Sequence, residues 1–315
     1  MITRLTNSPA EAAAFIKGGG IVAFPTETVY GLGADVFNDA AIRKVFDAKQ
    51  RPADNPLIAH VAEAGDINLL SERISPAAQR LVDAFFPGPL TLVLPKSASV
   101  PLLATAGLNT IGIRMPEHPT ARAFLRSCAV PIVAPSANLS GRPSPTTWQA
   151  VFEDLYGRVD CILQGDPTEI GIESTVVDCS VDPPAVLRKG AVSIEQLREV
   201  VPAITDWNAD AAGLISRSPG MRHRHYTPAA EVIILEREQQ PEGTERDAYI
   251  GLSPRLGTFK LMRVCPTPEE YASSLFEFFR ECDRAGIVKI FCESVKEEGI
   301  GAALMDRIRR ASGTG

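Results

Sequence analysis

Short apolar runs alternate with amphipathic segments along the whole of residues 1–200, and this alternation restricts the chain to a few architectures. A run of about four to eight apolar residues suits a buried strand. Apolar residues about every three to four positions suit a helix lying on the sheet. "GIVAFP", "PLIAHVA", "LTLVLP", "TIGIRMP", "PIVAPSA", "DCILQG", "STVVDCS" and "AVLRKG" read as strands. "NDAAIRKVFDAKQ" has helical spacing, with Asn38 or Asp39 as N-cap, and "SPAAQRLVDAFF" follows with Ser75 as cap and Pro76 in its first turn. "PTARAFLRSC" and "SIEQLREV", the latter capped by Ser193, are the remaining helices of this stretch. The pattern predicts an α/β domain on a mixed, twisted sheet. Local patterning does not give the strand order.

Residues 202–228 carry no sustained period and read as a linker. The pattern resumes at Ala229, with "EVIIL", "DAYIGLS" and "IVKIFCE" as strands and "PEEYASSLFEFFRECDRAG" and "GIGAALMDRIRRAS" as helices. The expected organisation is a domain at 1–201, a linker at 202–228 and a smaller Rossmann-like α/β domain at 229–315.

Several chemistries find no motif. There is no G-x-x-x-x-G-K-[ST]. "GGG" at 18–20 precedes its strand, the wrong side for a dinucleotide fingerprint, and "GLG" at 31–33 lacks a third glycine. No G-x-S-x-G elbow occurs. The histidines at 60, 118, 223 and 225 lack H-E-x-x-H spacing, and the six cysteines form no C-x-x-C. Unpaired thiols fit a cytoplasmic setting. The N-terminus lacks a long apolar h-region and reads as mature protein, and no apolar run is long enough to span a membrane. The formal net charge is −6, with both halves acidic, which disfavours non-specific nucleic-acid binding.

What stands out is a set of strand-like segments that run into polar residues. "FPTETVYGLG" leads from an apolar run into Thr26, Glu27, Thr28 and Tyr30. "KQRPADNPLIAH" supplies Lys49, Arg51, Asn55 and His60. "NTIGIRMP" supplies Thr110 and Arg114, and "VAPSANLSGRPSPT" supplies Ser136, Asn138, Ser140 and Ser144. "GIESTVVD" supplies Glu173, Ser174 and Thr175, and "AVLRKG" supplies Arg188. Taken singly, each has an ordinary structural reading: a strand arginine is most often in a salt bridge, and a lone histidine is most often a satisfied core residue. Gathered on one face, they would make an anion site rich in arginine and hydroxyls, with few carboxylates.

In this order, "PTETVYGLG", "KQRPADNPLIAHV", "PGPLTLVL", "RMPEHP", "APSANLSGRPSPT", "ESTVVD" and "LRKGAVS" resemble the YrdC-like family of threonylcarbamoyl-AMP synthases. "SPGMRHRHYTP" and the tail "GIGAALMDRIRRAS" resemble its two-domain members. The resemblance implies formation of threonylcarbamoyl-AMP and pyrophosphate from L-threonine, bicarbonate and ATP, with Mg²⁺ accompanying ATP. The product would feed proteins that modify tRNA to threonylcarbamoyladenosine. The resemblance also implies that Thr28, His60, Arg114, Ala134 (by its backbone) and Ser174 hold threonine. Arg51, Asn55, Thr110, Ser136, Ser144, Arg188 and Tyr226 would hold the nucleotide, with Lys49 and Asn138 close by. Pro25 would end its strand, Thr26 to Tyr30 would face the pocket, and Gly31 and Gly33 would let the chain turn. Positions 218–226 would form a lid, with Gly220 as hinge and Tyr226 closing over the nucleotide. Two other readings are an RNA-binding module of the same family and a carbamoyl-transfer domain of hydrogenase maturation. The acidic balance opposes the first, and the absence of acylphosphatase and zinc-finger segments opposes the second.

Overall fold

The computed structural model describes residues 2–206, 226–236 and 239–314. Among them, eleven strands form one mixed, twisted sheet. Its order is Arg4–Thr6, Cys161–Leu163, Val22–Phe24, Gly31–Asp35, Ile132–Ala134, Ile58–His60, Thr110–Arg114, Leu90–Pro95, Thr175–Asp178, Ala185–Arg188 and Thr205–Asp206. This first layer therefore runs through Asp206, and Ile204 packs in its core. The second sheet orders Glu231–Leu235, Lys289–Glu293, Asp247–Gly251 and Leu261–Val264, all parallel.

Several helices begin where a side chain replaces the missing backbone acceptor. Asn38 accepts from Ala41 N–H to open Asp39–Lys49, and Ser75 accepts from Ala78 N–H to open Pro76–Phe85. Ser193 and Gln196 form a reciprocal capping box on Ile194–Val200. Ser8 caps Pro9–Lys17, a helix for which the sequence reading has no counterpart.

"FPTETVYGLG" folds as a hairpin. Val22–Phe24 pairs antiparallel with Gly31–Asp35, with Phe24 opposite Gly31 and Val22 opposite Gly33. Pro25 ends the first strand as expected. Gly31 and Gly33, expected in a turn, lie in the returning strand. Their role is close packing: a Cβ on Gly33 would lie 2.6 Å from Ile132 Cγ2, and one on Gly31 would press on Phe24 and Ala134. The loop 25–30 is thereby held at one end of the sheet. Leu32 N–H donates to the Pro135 carbonyl, Ala137 N–H to Tyr30, and Tyr30 N–H to Pro145, which lays residues 135–145 against that loop.

Candidate active site

A cleft opens where these loops meet. Of the fourteen residues singled out as ligands, eleven line it: Thr28, Arg51, His60, Arg114, Ala134, Ser136, Asn138, Ser144, Ser174, Arg188 and Tyr226. They come from segments up to about 200 residues apart in sequence, brought together by sheet register. His60 lies opposite Arg114 in a parallel pair, and opposite Ile132 in an antiparallel one.

At one end, Arg114 is buried and its guanidinium is shared out. Nη2 lies 2.6 Å from Glu27, Nη1 donates to Thr28 Oγ1 at 2.8 Å, and Nε donates to the Gly88 carbonyl at 3.3 Å. Two of its N–H groups donate hydrogen bonds, and Nη2 faces Glu27 as an ion pair without a hydrogen bond of its own, so both terminal nitrogens keep N–H groups to offer. Thr26 Oγ1 donates to the Val29 carbonyl at 2.7 Å, so in its 2.9 Å contact with Thr28 the proton belongs to Thr28. The chain Arg114 to Thr28 to Thr26 to Val29 is thus directional and self-reinforcing. Burial would raise the Glu27 carboxyl, but Arg114 outweighs it and holds Glu27 ionised below its ordinary value. His60 Nδ1 donates to the Ile58 carbonyl at 3.1 Å. Burial and the neighbouring Arg114 push its pKa down to about 3, so the ring is neutral at physiological pH.

Elsewhere in the cleft, Arg188 Nε and Nη2 both donate to the Ser174 carbonyl, and Nη2 also reaches Ser174 Oγ at 3.1 Å. Thr91, absent from the sequence expectations, bonds Ser174 Oγ at 2.8 Å. Arg51 has no carboxylate within ion-pair distance among the described residues. Its contact to the Pro56 carbonyl is long, at 3.5 Å, and its buried Nε lacks an acceptor there.

Three expected residues fall outside the cleft wall. Lys49 is buried and donates to the carbonyls of Ser136 and Asn138, each at 2.5 Å, so it holds the loop that carries those residues. Burial drives its ammonium well below the usual lysine value. Asn55 is buried, with an Nδ2 that lacks an acceptor among the described residues. Thr110 begins its strand opposite Pro95. Asn138 does line the cleft, but its side chain is already used: Nδ2 donates to Leu139 and Arg142, and Oδ1 accepts from Ser136.

The cleft also contains residues not expected as ligands: Thr26, Arg142 and Glu173. Their quoted motifs carry them, but the partners that define their roles are distant in sequence. Ser144 Oγ donates to Glu173 Oε1 at 2.6 Å, and Arg307 Nε donates to Glu173 Oε2 at 2.9 Å. The lid expected at 218–226 lies, but for Tyr226, outside the described residues. Tyr226 is described: it is buried, lines the cleft, and stacks on Phe276 with ring centroids 5.2 Å apart.

Comparison with known proteins decides the family. Residues 14–190 match the Sua5/yciO/yrdC family, described as telomere recombination, and residues 192–313 match the threonylcarbamoyl-AMP synthase C-terminal domain. The chain belongs to the YrdC-like family of threonylcarbamoyl-AMP synthases. Threonylcarbamoyl-AMP synthase of Pyrococcus abyssi is 43% identical over 96% of this chain and 93% of its own length. The Bacillus subtilis enzyme of that name is 40% identical over 98% of this chain and 94% of its own. The crystal structure of P. abyssi Sua5 complexed with L-threonine superposes with a TM-score of 0.91 at 40% identity, covering 100% of this chain and 98% of that one. The expected mixed, twisted sheet with helices and a smaller second α/β unit on a parallel sheet are both observed. No helix among the described residues is long and apolar enough to cross a membrane.

Proposed function

We propose that the chain forms L-threonylcarbamoyl-AMP from L-threonine, bicarbonate and ATP, releasing pyrophosphate, by a nucleotidyl transfer in this cleft. The observation that carries the reading is the convergence of Arg51, Arg114 and Arg188 on one cleft whose hydroxyls donate to no free base. Thr28 donates to Thr26, Ser136 to an amide oxygen, and Ser144 to a carboxylate held by Arg307. The described cysteines are all buried and none lines the cleft. Such a site suits a reaction that needs placement and charge stabilisation, not a covalent enzyme intermediate.

The threonine amine attacks the bicarbonate carbon, water leaves, and the resulting carbamate oxygen attacks the α-phosphorus of ATP as pyrophosphate departs. Arg114 offers donors to the amino-acid carboxylate, with Thr28, His60, the Ala134 backbone and Ser174 around the rest of threonine. Arg51, Ser136, Ser144, Arg188 and Tyr226 serve the nucleotide, and Lys49 and Asn138 brace its loop. Among the described residues, no group of three or more His, Cys, Asp or Glu could cage a metal ion. Mg²⁺ would accompany ATP and offset the charge of its phosphates. The cytoplasm is the compartment that suits the unpaired buried thiols, and the product would pass to a transferase acting on tRNA.

The test is pyrophosphate release with threonine, bicarbonate or ATP left out in turn. Release should require all three. Equal release with ATP alone would overturn the proposal in favour of simple ATP hydrolysis.

A further inference from the structure

The cleft wall contains a carboxylate that an anion site would be expected to lack. Glu173 is buried, lines the cleft, and accepts from Ser144. Left alone, it would repel a triphosphate across a low-dielectric space. Its compensation comes from elsewhere in the fold. Arg307 sits on Ile300–Ser312, the last helix of the second layer, fully buried and absent from the cleft wall. Its Nε donates to Glu173 Oε2 at 2.9 Å, and its Nη1 donates to Asp306 at 2.7 Å. Burial would raise the Glu173 carboxyl, yet Arg307, Arg188 and the Ser144 bond together hold it below its ordinary value.

The same guanidinium lies 5.7 Å from the centroid of the Tyr226 ring. Tyr226 has a φ of 65°, a costly conformation for a bulky residue, which persists only where packing enforces it. Phe276, on Pro268–Ala285, supplies a second packing partner, also from the second layer. Arg307 thus touches both a cleft carboxylate and a cleft aromatic from behind.

We propose that Arg307 is a positioning residue for the nucleotide half of the cleft, acting through Glu173. It neutralises that carboxylate, keeps it aimed at Ser144, and so lets the wall accept phosphate. The second layer is then part of the active site's electrostatics. This rests on the nucleotide reading above, and the experiment separates the two.

Kinetics of pyrophosphate release would be measured for the wild type, Arg307→Met, Arg307→Lys and the double variant Arg307→Met/Glu173→Gln, with ATP affinity by calorimetry alongside. Arg307→Met should raise the KM for ATP about ten-fold or more, because a buried charge loses its partner, while the KM for threonine stays within about two-fold. Adding Glu173→Gln should bring the ATP KM back to within about three-fold of wild type, since the offending charge is gone. Arg307→Lys, which keeps a charge but not the guanidinium's spread of donors, should give an ATP KM between those of the wild type and Arg307→Met. A purely structural role would not be rescued by removing a second group. An ATP KM unchanged in Arg307→Met, or a double variant no better than the single, overturns the proposal. If Arg307→Met does not fold, the lysine and double variants decide: ATP KM values raised about ten-fold in both would overturn it. A wild type that binds ATP but shows no threonine-dependent release would instead defeat the functional reading, and calorimetric ATP affinity would still report on Arg307.

Discussion

His60 shows how an environment chooses among a residue's possible roles. Its ring is buried edge-on against Phe24, its Nδ1 is committed to Ile58, and Arg114 lies beside it in the sheet. The groups facing it are Arg114, which disfavours a second positive charge, and Glu27, which only partly offsets that effect. With a folded pKa of about 3 against an ordinary 6.5, the unfolded chain takes up a proton that the folded chain refuses. Stability from this group is therefore lost as pH falls from about 6.5 towards about 3 and is constant above that window. His60→Gln should flatten the curve of unfolding free energy against pH between about 6 and 4.5 by ~1.4 kcal/mol per pH unit. Urea titrations at several pH values would measure it, and an unchanged slope would refute the assignment. The same burial makes the imidazole a neutral hydrogen-bonding group at working pH, so His60 should add no inflection to the threonine KM between pH 6 and 8.

At the scale of elements, the hairpin of Val22–Phe24 and Gly31–Asp35 fixes where the Arg114 end of the cleft lies, and Gly33 fixes the hairpin. "GLGAD" has low strand propensity, and its pairing is tertiary in origin: both neighbouring strands supply its partners. Gly33→Ala places a methyl 2.6 Å from Ile132 Cγ2 and 3.0 Å from Phe24, so a strand or a ring must move. The expected cost is about 1–3 kcal/mol by chemical denaturation. Gly65→Ala, with nothing within 4 Å of the added carbon, serves as the control and should change stability by about 0.5 kcal/mol or less. Equal effects at the two sites would show that close packing is not what Gly33 provides. Local signals served best where an element carries its own cap, as at Asn38, Ser75 and Ser193.

Across the whole molecule, the two layers share buried contacts. Val29 and Ile172 of the first layer lie in the same apolar cluster as Tyr271, Phe276 and Phe279 of the second. Arg280, also buried, donates to both carboxylate oxygens of Asp154 and, at 2.6 Å, to the Pro143 carbonyl. Arg280→Ala strips a buried carboxylate and a carbonyl of their donor. It should cost about 3 kcal/mol, softened by the Arg142 contact that Asp154 keeps at 2.5 Å. Arg284→Ala, which removes a half-exposed pair with Glu153, should cost about 1 kcal/mol or less. Denaturation midpoints compare them directly, and an Arg280 effect no larger than that of Arg284 would argue against a buried seam. The sequence by itself determined the α/β class, the family motifs and eleven of the cleft's residues. Each of those is written in local periodicity or in a short motif. Only the tertiary structure decided that Lys49 braces a loop 87 residues away, that Gly33 lies in a strand, and that Glu173 faces Arg307 across 134 residues. A buried charge takes its role from its partner, and chain folding, not adjacency in sequence, supplies that partner.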